Sequence, residues 1–486
     1  MLLRSLLLVP LIGAALVGLV PGRYAGLARY LALAAAATAF GYAVWIYSQF
    51  DPGFAGVQFY ESHTWNPRLG SAFVLAIDGI SLSMLLLATL LSLVAVMASA
   101  SIRERAKGYY MLLLILEAAM LGVFMARDWS LFYVFWELTL IPLFFLIDRW
   151  GGKNRHRAAL NFVLYTLGGS VFMLVALLML YDAVPGQQVF EMTMIRETGR
   201  HLPEQTQILL FLGLLIGFGV KMPIFPLHGW LPLAHVEAPS PVSILLSGIL
   251  LKMGSYGLIR AASMLPMAAE ALQGLLVTLA LVSVVYGGIL AWRQRDLKAM
   301  IAYSSVSHMG VVLLGLASLN SAGITGAVMQ MVAHGLVAGA LFLLIGLLYE
   351  RTHTRDIADY SSLVRTMPRF AFFTVLTLVA AIGLPGTAGF IAELHALVGG
   401  FQAWGGWIVI LSLGVLVSAA YALRTVGRLF TGPVAARMQG LPDLTVTELA
   451  AAGVLTAGSL LIGIYPTPAL ALIGASVDRL AQLFVP

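Results

Sequence analysis

Apolar runs of about 20 residues recur along the whole chain and restrict its fold more than any other feature. A run of this length is what an α-helix needs to cross the hydrocarbon core of a bilayer. A lipid-exposed backbone must also satisfy its own hydrogen bonds, which favours helices. The runs predict an all-α polytopic membrane protein with about 14 transmembrane helices, and a mildly amphipathic surface helix over 467–486. The predicted spans, numbered 1 to 14, lie near residues 2–20, 30–49, 72–100, 108–126, 129–148, 158–181, 206–225, 241–263, 270–291, 297–318, 323–349, 371–400, 404–430 and 445–464.

The composition supports this class and excludes several others. Hydrophobic residues make up 60% of the 486 positions and charged residues only 10%, which is typical of a polytopic membrane protein. The sequence contains no cysteine, which excludes disulfides, thiolate-ligated iron–sulfur clusters and a cysteine nucleophile. It also lacks the phosphate-binding, zinc-protease and serine-hydrolase motifs. We therefore expect no cofactor and no metal in this chain.

The distribution of lysine and arginine predicts the orientation in the membrane. Nineteen of the 28 basic residues, Arg23 among them, lie in the loops that follow odd-numbered spans, and seven lie on the opposite side. The remaining two, Lys221 and Lys252, fall inside spans. Cytoplasmic loops are the basic ones, so both termini are predicted on the outer, periplasmic side of a bacterial inner membrane. The net charge of +6 is explained by this bias and does not indicate a nucleic-acid partner.

Span 7 is predicted to be a broken helix with a buried charge at the break. Lys221 is followed by Pro223 and Pro226, and a proline inside a helix leaves the carbonyl four residues earlier without its donor. A lysine in hydrocarbon costs about 2.5–3.5 kcal/mol even on the lenient insertion scale. A broken helix with a buried ionisable residue is typical of an ion pathway. The alternative is a harmless kink with a lysine that reaches to the membrane surface.

Span 12 repeats this pattern in the second half of the chain. Pro385 and three glycines precede Glu393 in AIGLPGTAGFIAELHALVG. One broken helix in each half indicates two inverted repeats of five helices, with helices 7 and 12 broken. The predicted organisation is an N-terminal three-helix segment (1–107), a first repeat of helices 4–8 (108–263), a second repeat of helices 9–13 (264–430) and a last helix with a short tail (431–486).

Five further candidate residues are ionisable and lie inside predicted spans, where a charged side chain must be paired, neutral or functional. We expect Glu137 to pair with Lys221. A lone membrane histidine is often a plain interhelical hydrogen-bond donor or acceptor, so a packing role and a proton-relay role stay open for the histidines and for the glutamate on span 4. These residues are Glu117, Glu137, Lys252, His308 and His334.

A second group lies at the ends of spans. His228, His235 and Glu237 flank the proline-rich link after span 7, where they either line an aqueous entry or cap the loop. Asp78 is expected to start the helix of span 3. Lys298 is explained by the inner basic bias, and a gate for protons is the alternative.

At these residues the sequence resembles the antiporter-like subunits of proton-pumping NADH:quinone oxidoreductase, respiratory complex I. The matching stretches are FWELTLIPLFFLI, KMPIFPLHGWLPLAHVEAPSPVSILLSGILLKMGSYGLIR, YSSVSHMG and GLPGTAGFIAEL. A glutamate rather than a lysine at position 393 is similar to the subunit M (NADH dehydrogenase subunit 4) group. The chain end at 486 is too early for the long lateral helix of the subunit L group.

The resemblance implies a role for each of these residues. Glu137 and Lys221 would form the regulating ion pair, Lys252 would be the central proton carrier, His308 and His334 would connect, and Glu393 would donate on the exit side. It also implies a subunit without a redox site, driven by NADH:quinone oxidoreduction elsewhere in the complex. The implied partners are other membrane-arm subunits, including neighbouring antiporter-like subunits, and the lipid bilayer.

Two positions depart from the family pattern. Leu233 stands where an aspartate is usual in HxWLPDAH, and Ala299 stands where a basic residue often follows Lys298. Three other functions share the pattern: a subunit of a multisubunit Na+/H+ antiporter, a ferredoxin- or hydrogenase-coupled pump, and an inert membrane subunit. Lysine is common at position 393 in the antiporters, and an inert subunit has no need of several buried charges.

Overall fold

The computed structural model describes residues 1–21 and 25–484 and is almost entirely helical. Arg23, one of the basic residues counted above, lies outside these ranges. The helices are α1 Leu2–Leu19, α2 Ala25–Gln49, α3 Gly79–Ala98, α4 Ala106–Met125, α5 Trp129–Leu138, α6 Leu140–Trp150, α7 Arg155–Asp182, α8 Met192–Arg200, α9 Glu204–Lys221, α10 Leu231–Glu237, α11 Ser240–Leu245, α12 Leu251–Met264, α13 Pro266–Ala271, α14 Gln273–Arg293, α15 Leu297–Ala317, α16 Ser321–Thr352, α17 Leu363–Thr366, α18 Pro368–Ala381, α19 Ala388–Trp404, α20 Ile410–Phe430, α21 Val446–Ile464 and α22 Thr467–Ala481.

Twelve of the helical segments in the described residues are long and apolar enough to cross a membrane. The two predicted spans missing from that set are spans 7 and 12, and the structure breaks both of them. The helix of span 7 stops at Lys221 as α9 and a separate short helix, α10, follows from Leu231, whereas span 12 is divided into α18 and α19. The all-α polytopic class with broken helices 7 and 12 is therefore confirmed.

One part of the predicted span 3 is wrong. Residues 72–77 form a strand instead of the start of a helix: β1 Gln58–Asn66 pairs antiparallel with β2 Ser71–Ile77. A short apolar run does not distinguish a strand from a helix by periodicity alone. The helix itself begins at Gly79, and Asp78 caps it by accepting a hydrogen bond from the Ser81 amide.

Polar caps fix where several spans begin. Asp128, Asp296, Asn320 and Thr445 each accept a hydrogen bond from a first-turn amide of α5, α15, α16 and α21, respectively. The first amides of a helix have no intrahelical acceptor, so a cap at each start satisfies donors that lipid cannot. These caps therefore fix the residue at which each of these helices begins.

The helices that carry the candidate residues lie in the centre of the bundle. Between 94% and 100% of the most apolar window is buried in the Ser240–Met264 segment, in α15 and in α16, against 28–39% for α1, α2, α7, α14 and α21. The peripheral helices keep exposed apolar faces, which suit lipid or partner subunits. The tail predicted as a surface helix is α22, and it packs against α3 and α16.

α16 and α19 approach each other at backbone distance. A Cβ placed on Gly326 of α16 would overlap the Ala396 backbone of α19, and one placed on Gly399 would overlap Gly323. Only glycine permits so close an approach. This glycine contact holds the helix of His334 against the helix of Glu393.

Candidate functional site

Lys221 ends α9 and points at the joint between α5 and α6. Its ammonium Nζ donates a hydrogen bond to Thr139 Oγ1 at 3.1 Å and lies 4.7 Å from the centroid of the Trp136 ring. Thr139 is the single residue between the two short helices that make up span 5. A buried ammonium needs acceptors or a π face, and this joint supplies one of each.

Glu137 lies two residues before Thr139, at the end of α5. The carboxylate of Glu137 interacts electrostatically with Lys221, but no direct N–O contact within 4.0 Å joins the two side chains in the part of the chain that the structure describes. Its Oε1 is buried without a hydrogen-bond partner among those residues. The predicted ion pair stays a prediction: the two groups are neighbours separated by a gap.

The backbone freed by the break after Lys221 finds other partners. The Trp230 indole donates to the Val220 carbonyl at 2.8 Å, the Ile224 amide to the Gly219 carbonyl at 3.2 Å, and the Phe225 amide to Ser283 Oγ at 2.9 Å. Because these contacts satisfy the irregular backbone, the break costs little in the low-dielectric interior.

Lys252 lies at the centre of the protein, just after a π-helical turn over Leu246–Leu250. Its Nζ donates to the Ser247 carbonyl at 2.8 Å and contacts His334 Nδ1 at 2.6 Å. An ammonium can only donate, so a charged Lys252 requires an accepting Nδ1 and puts the His334 proton on Nε2. That Nε2 has no hydrogen-bond partner in the described residues, which leaves it free for a water or a proton transfer.

His334, His308 and Glu393 continue from Lys252 without a large gap. The imidazole centroids of His334 and His308 are 5.5 Å apart, and His308 Nδ1 lies 3.9 Å from Glu393 Oε1. Gln330 Nε2 lies 3.2 Å from the same Nδ1. All three residues line one cavity with Ser304 and Gln330, and a second cavity lined by His308, Glu393 and Ser418 adjoins them. Each cavity is mostly apolar but has room for about one water molecule beside these polar groups.

Glu393 faces the break of span 12. Gly383, between α18 and α19, has φ of +77°, and a Cβ at this position would lie 2.5 Å from Glu393 Oε2. Glycine is therefore required here both by the backbone conformation and by the proximity of the carboxylate. The break brings the chain turn and the carboxylate into contact, as the sequence pattern predicts.

Lys298 and His235 form a second group, near the end of α10 and the start of α15. Lys298 is buried and its Nζ donates to the Ala238 carbonyl at 2.7 Å. His235 is fully buried, stacks on Phe342 at 4.6 Å between centroids, and both of its ring nitrogens are without partners in the described chain. Leu233 packs against the hydrophobic core, so no carboxylate faces this cluster from position 233.

The three other candidates are Glu117, His228 and Glu237, of which Glu237 interacts electrostatically with Lys298. Glu117 is fully buried and both carboxylate oxygens are unpartnered within residues 1–21 and 25–484. His228 is surrounded by aromatic rings, with Tyr286 at 5.5 Å. Glu237 Oε2 accepts from the Asn154 amide at 2.9 Å, so of the two alternatives for Glu237 the structure has the loop contact.

The sequence analysis missed several residues of the site. Thr139 and Gln330 are uncharged and sit in runs that show no sign of them, and Gly383 was noted only as one of three glycines. Tyr421 of α20 has a buried hydroxyl without a geometric hydrogen-bond partner in the described chain and interacts electrostatically with Glu393. Polar residues recur at helical spacing on span 13, at Ser418, Tyr421 and Thr425, and this pattern could have indicated the face.

Asp78 does more than start a helix. Its carboxylate forms salt bridges with Arg260 at 2.7 Å and Arg127 at 3.2 Å. Burial alone would raise the pKa of Asp78, but the charges of Arg260 and Arg127 outweigh burial and hold that pKa well below its ordinary value. The cluster ties α3 to α12 and to the start of α5.

No group of three or more histidine, cysteine or acidic side chains in the described residues is arranged to hold a metal ion. The ionisable groups of the site are instead spread over six helices, α5, α9, α12, α15, α16 and α19. What they can do chemically is pass protons, because each accepts or donates one and each is close to a neighbour or a hydrated cavity.

Comparisons with known proteins agree on one family. Residues 126–418 match the family model described as the membrane subunit of NADH:quinone oxidoreductase and Mrp antiporters. The chain is 41% identical over 466 residues to NADH-quinone oxidoreductase subunit M of Rhodobacter capsulatus, covering 94% of this chain and 90% of the relative. It is 40% identical over 476 residues to NAD(P)H-quinone oxidoreductase chain 4 2 of Thermosynechococcus vestitus, covering 96% and 89%.

A solved structure gives the same result for the fold. A chain of respiratory complex I from Thermus thermophilus with bound NADH superimposes with a TM-score of 0.91 at 32% sequence identity, and the match covers 100% of both chains.

Proposed function

Because this chain belongs to the family of membrane subunits found in NADH:quinone oxidoreductases and Mrp antiporters, we propose that it carries protons along one buried row of side chains. The row consists of Glu137, Lys221, Lys252, His334, His308 and Glu393. The chain is a proton-translocating membrane-arm subunit of respiratory complex I, related to subunit M. The roles assigned below to single residues are the proposal.

The observation that carries this proposal is the contact series of the second half. Lys252 contacts His334 at 2.6 Å, the two imidazoles are 5.5 Å apart, and His308 is 3.9 Å from Glu393. A proton leaving Lys252 has an acceptor at once, and the cavities beside His308 supply water where the direct distance is too long for a hydrogen bond. Lys252 is the central carrier, the histidines connect, and Glu393 donates on the exit side.

Glu137 and Lys221 control the movement of protons through the first half of the row. At about 5 Å and an effective dielectric of ~20, a glutamate and a lysine interact by roughly 3 kcal/mol. Moving one charge against about 180 mV costs roughly 4 kcal/mol. Closing and opening the gap between the Glu137 carboxylate and the Lys221 ammonium therefore changes the energy of the bound proton by an amount comparable to the work of pumping it.

Lys298 and His228 take part at the entry, and Glu117 is a reserve proton site. Lys298 is buried beside the unpartnered His235, which supports a gate more than a plain surface charge. Glu117 is a carboxyl group without a partner in the described interior, and a neutral, protonated acid is the form that tolerates such burial.

The chain works as the non-redox part of the enzyme complex. Its partners are other membrane-arm subunits, with antiporter-like neighbours on either side, and NADH oxidation takes place elsewhere in the complex. The basic bias of one set of loops supports placement in a bacterial inner membrane with both termini on the periplasmic side. The two inverted repeats, 108–263 and 264–430, are the frame in which each broken helix opens one half-channel.

The test is proton pumping by inverted membrane vesicles from strains that carry Glu137→Gln or Lys221→Met. Electron transfer from NADH to quinone is recorded alongside, and assembly of the complex is checked on native gels. Lys153→Met and Glu270→Gln change exposed residues and serve as matched controls. We expect assembled complexes with strongly reduced pumping in the first pair and normal pumping in the controls.

Normal pumping by both Glu137→Gln and Lys221→Met would show that the pair is structural and that the proposed row is wrong. A sodium-dependent signal that survives a protonophore would instead favour the antiporter function.

A further inference from the structure

A recess opens at the surface between the start of β1, the start of α5, α8 and the end of α12. Its volume is about 70 Å³, and it is lined by Arg127, Arg196 and Arg260, by Trp129 and Thr193, and by Tyr60 at the rim. We call it the arginine recess. It is far from the row of proton carriers and none of its residues is used by the proposed mechanism.

Arg260 and Arg127 each use only some of their guanidinium nitrogens to bind neighbouring residues. The hydrogen bonds of Arg260 to Asp78, Ser81 and Tyr256 all leave from Nη2, and its buried Nε has no partner in the described residues. Arg127 donates from Nε to the Ala76 carbonyl and from Nη2 to Ser81. Each guanidinium has five N–H donors in a fixed fork, so both are positioned rigidly and retain donors for a ligand.

Other donors face the same space. Trp129 is only 2% exposed, and its indole Nε1 has no acceptor among residues 1–21 and 25–484. A buried N–H without an acceptor costs about 1–3 kcal/mol and is a mark of a missing partner. α8 begins in the recess at Met192 and Thr193, and its N-cap Glu191 forms no side-chain capping bond.

The charge of the recess is positive. Asp78 is a single carboxylate shared by Arg127 and Arg260, and Glu197 is shared by Arg196 and Arg200. The charged residues that line the recess itself are three arginines and one carboxylate, Glu191. Burial and the neighbouring charge of Arg200 lower the pKa of Arg196, as expected where positive charge exceeds negative.

We propose that the arginine recess binds a phosphate group, supplied either by the headgroup of an anionic phospholipid or by a free phosphate anion. Arginine forks match phosphate oxygens in geometry and charge, and the Trp129 indole is a further, neutral donor without an acceptor in the described residues. The rim carries the exposed apolar side chains of Val57 and Tyr60, a surface on which the glycerol and acyl part of a lipid can lie. This site is independent of the proton-carrying row.

The experiment uses the purified, detergent-solubilised complex that contains this chain, stripped of lipid by repeated detergent exchange. Binding of short-chain phosphatidylglycerol, short-chain phosphatidylcholine and inorganic phosphate is measured separately by thermal shift, and bound phospholipid is counted by native mass spectrometry. The variants are Arg196→Gln and Trp129→Phe. Arg200→Gln is the matched control, because Arg200 contacts the same Glu197 and the Ser263 carbonyl without lining the recess.

We expect the apparent Kd for phosphatidylglycerol to rise at least tenfold in Arg196→Gln and severalfold in Trp129→Phe, with Arg200→Gln unchanged. Saturable binding of inorganic phosphate with the same dependence on Arg196 would identify a free anion as a sufficient ligand, and its failure would identify the lipid. Equal binding of phosphatidylglycerol and phosphate by wild type, Arg196→Gln and Arg200→Gln would overturn the proposal. Since Arg196 is partly exposed, this outcome does not depend on whether Trp129→Phe folds.

Discussion

Removing the hydroxyl of Thr139 should impair pumping without removing any charge. The Thr139 hydroxyl donates its one proton to the Trp136 carbonyl at 2.8 Å, so its lone pairs are what Lys221 Nζ contacts at 3.1 Å. A hydroxyl has a single O–H and two acceptor sites, which fixes the direction of this bond. Thr139→Val keeps the shape of the side chain and deletes the only neutral acceptor recorded for the Lys221 ammonium in the described residues.

The size of the effect follows from the charge on the donor. A hydrogen bond to a charged group contributes about 1.5–3 kcal/mol, and about 1.4 kcal/mol is a factor of ten in an equilibrium or a rate. If the protonated Lys221 facing Thr139 is a state on the pumping path, the coupled rate of Thr139→Val should fall about 10- to 150-fold. Stability should change far less, because a valine fits the same space.

The assay is proton pumping per NADH oxidised, in vesicles that contain equal amounts of assembled complex. Thr139→Ser restores the acceptor and serves as the matched variant, and we expect it to pump within about threefold of wild type, since it loses only a methyl group. Wild-type pumping by Thr139→Val would refute the reasoning, because Lys221 would then have no need of this acceptor. Equal losses in the serine and valine variants would assign the effect to packing.

Two further predictions concern Gly383, at the Glu393 end of the row, and the salt bridges of Asp78. Gly383→Ala forces a Cβ into a left-handed backbone and toward Glu393. It should cost about 1–3 kcal/mol and lower pumping more than assembly, as native gels and vesicle assays will show; an unchanged pumping rate would mean that Glu393 moves away freely. Asp78→Asn leaves Arg127 and Arg260 without their carboxylate and should destabilise the complex by about 3–5 kcal/mol, seen as a lower Tm. Because the pKa of Asp78 is held low in the folded state, its contribution is complete above the unfolded pKa of about 3.9 and is lost as the pH falls through the lower folded value. The difference in Tm between wild type and Asp78→Asn should thus be constant from pH 8 to 5 and shrink below about pH 4, whereas a difference that grows on acidification would contradict this account.

The sequence alone predicted those features that depend on the chemistry of a single residue. Lys221 and Glu393 can be recognised as functional candidates because burying a charge in an apolar run costs free energy. Pro223 and Pro385 indicate helix breaks because proline has no backbone N–H to donate. Asp78 before a long apolar run indicates a helix start in the same way. These local signals located both broken helices and the fourteen-span plan, with the twelve unbroken spans present in the structure.

The contacts between distant parts of the chain were beyond this reasoning. Lys252 meets His334 across 82 residues and Lys221 meets Thr139 across another 82, and a single sequence contains no information on such pairs. Nothing in the sequence distinguishes Thr139 from its neighbours, and only the folded structure shows its contact with Lys221. The strand over 71–77 was missed because alternation is invisible where both faces are apolar.

The glycine contact between α16 and α19 sets the time scale on which protons can move through the second half of the row. His334 lies on α16 and Glu393 on α19, and the backbones of these helices touch at Gly326 and Gly399. Neither helix can therefore slide or rotate past the other unless the two backbones first separate. Helix shifts take microseconds to milliseconds, whereas side chains turn in picoseconds to nanoseconds where they have room. In the proposed row, transfer from His334 through His308 to Glu393 would therefore depend on imidazole rotation and on the exchange of single waters. A slow motion that sets the rate of turnover would then lie outside this helix pair.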